Sequence, residues 1–115
     1  MSAQLDLLDA LFAFRTELTK LIVLVDAPPE SDDETTLNQL VQMRDRVNAV
    51  INRVIDAKVT EATTGLEDAL KKVGTSTSNL QATTKDIDGV KRAIAVASQV
   101  VGAVSAVLSA AAAVL

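Results

Sequence analysis

Cysteine, histidine, tryptophan and tyrosine are all missing from this 115-residue sequence, and proline occurs only as the adjacent pair Pro28-Pro29. Without cysteine no disulfide can staple the fold, no thiol chemistry is available, and the usual indicator of redox compartment is lost. Without histidine the commonest general base and a frequent transition-metal ligand go too. An enzyme built on this chain would have to rely on carboxylates, lysine or serine. The only rings are two phenylalanines, and the net charge is −4 with no basic stripe. A nucleic-acid partner needs cationic contacts to phosphate, usually with stacking rings for single strands, so that class is excluded.

What is present is aliphatic. The 49% hydrophobic content is carried by Ala, Val, Leu and Ile, a composition that predicts thin, closely approaching helices and an all-α class. The length suits one domain, 1–115, with a modest core. Charge is unevenly placed: Asp26, Glu30, Asp32, Asp33 and Glu34 form an acidic run, and the other ten acids face eleven bases. That run reads as a solvated loop whose acids favour the start of a following helix. The opening MSAQLDLLDALFAF carries two acids before its first base, unlike a cleavable secretory signal. A cytoplasmic or membrane-associated location is the expectation.

Two punctuation points divide the sequence into three expected helices. Paired prolines after Ala27 stop a helix, and Ser31-Asp-Asp-Glu34 offers a capping box for the next. Gly74-Thr-Ser-Thr-Ser78 is poor helix interior, and a further box runs from Ser78 to Gln81. Helix A is therefore expected over about 3–26, helix B over about 32–73 and helix C over about 79–115.

Apolar spacing supports a helix in each stretch. Leu8, Leu11, Leu18, Ile22 and Val25 share one face of helix A, with Leu7, Phe14 and Leu21 beside it. Helix B carries Leu40, Met43, Val47, Ile51 and Ile55, then Val59, Ala62, Leu66, Ala69 and Val73. In helix C, Leu80, Ile87, Ile94, Val101, Leu108 and Leu115 recur every seven residues, with Val90, Ala97, Val104 and Ala111 between them, a coiled-coil seam. The seven-residue spacing also reaches back through Val73 and Leu66 to Val59, so one continuous helix from about 32 is a second reading. The hairpin reading predicts an elongated helical bundle in which the N-terminal helix packs on a long antiparallel coiled-coil hairpin, its arms about 55–60 Å long at 1.5 Å per residue.

Residues 93–115 contain no charged residue. Beside the heptad seam, Val96, Val100, Val107 and Val114 form a second apolar stripe, and Ser98, Gly102, Ser105 and Ser109 form a ridge of small residues suited to close helix approach. In a three-helix arrangement helix A covers only one of the two stripes. Exposing five or six Val and Leu side chains forgoes about 1.5–3 kcal/mol each, which is comparable in sum with the stability of a small domain. The expected association or insertion surface is therefore Val96, Val100, Gly102, Val104, Ser105, Val107, Leu108 and Ser109.

No constellation of catalytic residues emerges. Glu67 and Asp68 are adjacent, which places them about 100° apart on a helix and suits solvated surface better than a paired acid and base. Asp86-Ile-Asp88-Gly89 resembles the opening of a calcium loop but lacks the third ligand and the closing glutamate. The Gly74 region has no phosphate-loop pattern. Asn48 and Asn52 lie near the apolar face of helix B, as solvated amides or as register-setting ones. The expectation is a non-enzymatic interaction protein, without cofactor, metal or small-molecule substrate, that forms a homo-oligomer or binds a helical partner through helix C. The alternative is a membrane-active protein, pore-forming-like or tail-anchored, since about twenty apolar residues span a bilayer and Lys85, Lys91 and Arg92 flank the segment.

Overall fold

The computed structural model describes residues 3–24, 31–83 and 87–113. These form four helices: α1 (Ala3–Leu24), α2 (Ser31–Asp56), α3 (Leu66–Gln81) and α4 (Ile87–Ala113). The Pro28-Pro29 break and the acids Asp26 and Glu30 lie outside the described residues, as do Val25, Lys85, Asp86, Val114 and Leu115.

Four contacts set the helix directions. At the start of α1, the Gln4 Nε2 donates to the carbonyls of Val54 and Ile55 at 2.7 and 2.9 Å, capping the end of α2, where the Val54 carbonyl also accepts the Ala57 amide at 3.2 Å. Arg15 Nη1 donates to Asn48 Oδ1 at 2.8 Å, so α1 and α2 run antiparallel. Gln81, ending α3, reaches Glu17 Oε1 at 3.4 Å, while Gly65, just before α3, lies beside Val107 near the end of α4. The helices therefore alternate in direction. Their neighbours are α1 with α2, α2 with α4, α4 with α3 and α3 with α1. This is an elongated four-helix bundle in which α1 and α4 occupy opposite corners, and the segment 57–65 crosses the diagonal between α2 and α3.

Helix B is thus two helices, and its break does not lie at Gly74. Both Gly74 and the hydroxyl run after it are inside α3. Leu66, Ala69, Val73, Ser76 and Leu80 are all buried, spaced three and four apart along one face. Packing that face outweighs a propensity cost of about 1 kcal/mol for glycine and less for each hydroxyl residue. Thr77 Oγ1 donates to the Val73 carbonyl at 2.8 Å, so its hydroxyl is satisfied within the helix rather than competing with it.

The chain turns instead at 57–65. Val59 is buried although it lies outside any helix. Thr60 N donates to Thr63 Oγ1 at 2.9 Å, and Thr63 N to the Thr60 carbonyl at 3.0 Å. Gly65 then sits at φ 84°, in the left-handed region, immediately before α3. Helix C is corrected likewise: Asn79–Gln81 finish α3, and α4 starts at Ile87. The long two-arm stalk is not formed, because the bundle is only 49 Å in its longest dimension.

One core runs through the bundle. Leu7, Leu11, Phe14 and Leu18 of α1 meet Leu40, Val47 and Val54 of α2, Val73 of α3, and Val90, Val100, Val104 and Val107 of α4, all essentially inaccessible. The stripe expected on α1 is buried over Leu7, Leu8, Leu11, Phe14, Leu18 and Leu21, with Ile22 half-buried. Ile55 and Ala62, expected in the stripe of helix B, are exposed instead.

The two glycines give opposite expectations. A methyl group at Gly74 meets nothing within 4 Å, so Gly74→Ala should raise stability by about 0.5–1 kcal/mol, seen as a higher urea midpoint. Gly65→Ala places a side chain in the left-handed region and should lower stability by about 1–2 kcal/mol, with a lower urea midpoint. Urea unfolding followed by circular dichroism checks both; destabilisation by Gly74→Ala would contradict the helical assignment of α3.

Candidate association surface

Helix α4 lies between α2 and α3, and this position determines which of its residues can meet a partner. Val90, Ala93, Ala97, Val100, Val104, Val107, Leu108 and Ala111 are buried, while Ile94, Val96, Val101 and Ala103 are partly buried against the same core. Two flanking helices cover a wider arc than helix A alone would. Ile94, Val101 and Leu108 of one apolar stripe read from the sequence, and Val96, Val100 and Val107 of the other, are therefore buried or half-buried within the bundle.

The eight expected surface residues separate accordingly. Val100, Val104, Val107 and Leu108 are core, Val96 and Ser105 are half-buried, and Gly102 and Ser109 are exposed. They do not form one exposed surface. The supposed cost of leaving several Val and Leu in water is not incurred, because α3 and α2 cover them.

What α4 does show to solvent is a line of small residues. Ala95, Ser98, Gln99, Gly102, Ala106, Ser109 and Ala112 are exposed, and a Cβ built on Gly102 has no neighbour within 4 Å. After Lys91 and Arg92 no described residue of α4 carries charge. An 18-residue window within Asp88–Ala112 has a mean hydropathy of 1.9, and the stretch meets the length and composition of a membrane-crossing helix, with 33% of that window buried in the bundle. Composition could mark the uncharged helix. It could not tell which of its faces is inward, since alanine and valine populate both.

Exposed bulky residues were missed in the sequence: Leu5, Phe12 and Val23 on α1 and Ile55 on α2. The available signal was that Leu5, Phe12 and Val23 fall off the 7-11-14-18-21 face of α1, which makes that helix apolar on two sides.

Among the described residues, no group of three or more Asp, Glu, His or Cys side chains could hold a metal ion. Glu67 and Asp68 are exposed, with Glu67 Oε1 lying 3.9 Å from Lys71 Nζ, one turn on. Asp88 and Gly89 are in the first turn of α4 rather than a loop, and Asp86 lies outside the described residues. Asn48 is half-buried and accepts the Arg15 bond, whereas Asn52 is exposed. No family model, curated protein or solved structure matches this chain.

Burial and exposure along α4 are separable by substitution. Leu108→Ala should cost about 2–5 kcal/mol through lost burial and a residual cavity. Ala106→Ser, on the solvent line, should stay within about 0.5 kcal/mol of the parent. Thermal unfolding followed by circular dichroism measures both, and a neutral Leu108→Ala would remove α4 from the core.

Proposed function

We propose that this is a non-enzymatic interaction protein that self-assembles through the outward face of α4. The supporting observation is that this face, from Ala95 to Ala112, carries only Ala, Ser, Gly and Gln over about 26 Å of helix at 1.5 Å per residue. A helix face meant for water ordinarily carries Lys, Glu, Arg or Asp. Small side chains let a second backbone approach closely, and Ala and Gly lose almost no rotamer entropy on burial. The area gained per residue is small, so the contact depends on length and close fit rather than on a few large anchors.

Membrane insertion is the second reading, favoured by the hydropathy of Asp88–Ala112. It would require α4 to exchange its contacts with α2 and α3 for lipid. Ala106→Arg tests this with the bundle left intact, because residue 106 faces solvent in the soluble fold and a central arginine opposes insertion by about 2.5–3.5 kcal/mol. Flotation with anionic and neutral liposomes that is lost in Ala106→Arg supports insertion; failure of the parent protein to float with either excludes it.

Self-assembly is tested at Gly102. Gly102→Leu adds a bulky side chain where nothing lies within 4 Å, so the fold should keep its stability or gain slightly from the better helix former. The mass in sedimentation should fall. An equal mass for the parent and Gly102→Leu would contradict assembly through this face.

A further inference from the structure

The bulky residues exposed on α1 lie in one line. Val23 is 75% exposed, Leu5 59% and Phe12 37%. At 100° per residue, Leu5, Phe12, Thr16 and Val23 fall within about 40° of one another and span about 27 Å of helix. Single exposed hydrophobic residues need no explanation. An aligned set along one solvent-facing line does. The far half of the line borders an open cleft lined by Arg15, Thr16, Thr19, Lys20 and Val23, whose surface is mostly apolar.

The order of this line reads the same in both directions. The intervals from Leu5 to Phe12, Thr16 and Val23 are seven, four and seven residues. Two copies of α1 placed antiparallel about residue 14 therefore set Leu5 against the other copy's Val23 and Phe12 against its Thr16. The two Phe12 rings then lie about 6 Å apart along the axis, four residues at 1.5 Å each. Arg15 already rests over Phe12, 4.9 Å from the ring centroid, which leaves the ring's other side for the partner.

Charge agrees with this register. Asp9 and Lys20 flank the line on the side turned away from α2, the α2 side being marked by Gln4 and Arg15. A two-fold axis lying across the helices keeps that side in common, so Asp9 of each copy meets Lys20 of the other, one residue from perfect register. Lys20 is exposed, and its within-chain pair is with Glu17, one turn back at 3.3 Å. Such an exposed pair is weak, and the long lysine side chain can serve both carboxylates. A parallel two-fold arrangement would turn the Asp9 and Lys20 sides of the two copies to opposite edges of the contact and form neither pair.

We infer that a second copy of this chain covers the outer face of α1, through an antiparallel two-fold contact of Leu5, Phe12, Thr16 and Val23 gated by Asp9 and Lys20. Such an isologous contact is the commonest form of self-association. It is independent of the proposed α4 contact, since α1 and α4 occupy opposite corners of the bundle.

The test uses the full chain carrying Gly102→Leu, so that only the α1 contact operates. Sedimentation should give a dimer. Adding Asp9→Lys or adding Lys20→Asp should each give a monomer with an unchanged helical circular dichroism spectrum. Mixing these two charge variants in equal amounts should restore the dimer, because each then offers the charges that the other lacks. A monomer for Gly102→Leu alone overturns this contact, whatever the parent mass. A dimer that is indifferent to both charge reversals, or a mixture that stays monomeric, overturns the antiparallel register. The α4 proposal fails by a different result, equal masses for the parent and Gly102→Leu.

Discussion

A helix as apolar as α4 needs neighbours on two sides, and the turn at Gly65 provides the second. Gly65 holds φ at 84°, and among the described residues no side-chain-bearing residue has a positive φ. With Val59 seated in the core and Thr63 closing the turn onto Thr60, the chain leaves α2, crosses the diagonal and starts α3 in the opposite direction. α3 can then lie against both α1 and α4. Without that reversal, helix B would continue past the bundle and α4 would have only one flank covered. Burial of Val100, Val104 and Val107 thus depends on a backbone conformation 35–42 residues upstream.

Much of the bundle was legible in the spacing of apolar residues. Leu8, Leu11 and Leu18 on α1, and Leu40, Met43, Val47 and Ile51 on α2, are core as their periodicity indicates. The second break was not legible. Val59, Leu66, Val73 and Leu80 keep a seven-residue interval and are all buried, yet Val59 reaches the core from a loop. Periodicity reports burial, and a loop residue can supply it as well as a helical one. Local composition misled in the same place: both Gly65 and Gly74 have hydroxyl neighbours. Only tertiary packing, with Ser76 and Leu80 on the inward face, decides that Gly74 remains in a helix.

The same distinction governs function. An uncharged helix reads equally well as core, as interface or as membrane span, and each needs a different face left open. Core burial takes Val90, Val100, Val104, Val107 and Leu108, which removes most of the large apolar groups from any interface on α4. The outward ridge of Ala, Ser and Gly suits only a closely fitted neighbour. The larger exposed groups sit on α1, a helix whose composition is less extreme. A bulky apolar line with one acid and one base at matched distances carries orientation as well as attraction, whereas a ridge of small residues carries little that selects direction.

Backbone amide exchange followed residue by residue by NMR tests the central point, that α3 runs unbroken through Gly74 and encloses α4. Amides from Val73 to Leu80 should be protected together with those from Val100 to Leu108 and released in the same cooperative opening, while those from Lys58 to Gly65 exchange faster. Rapid exchange across Gly74–Ser78 combined with helical protection through 57–65 would contradict the four-helix arrangement and return the uncovered face of α4.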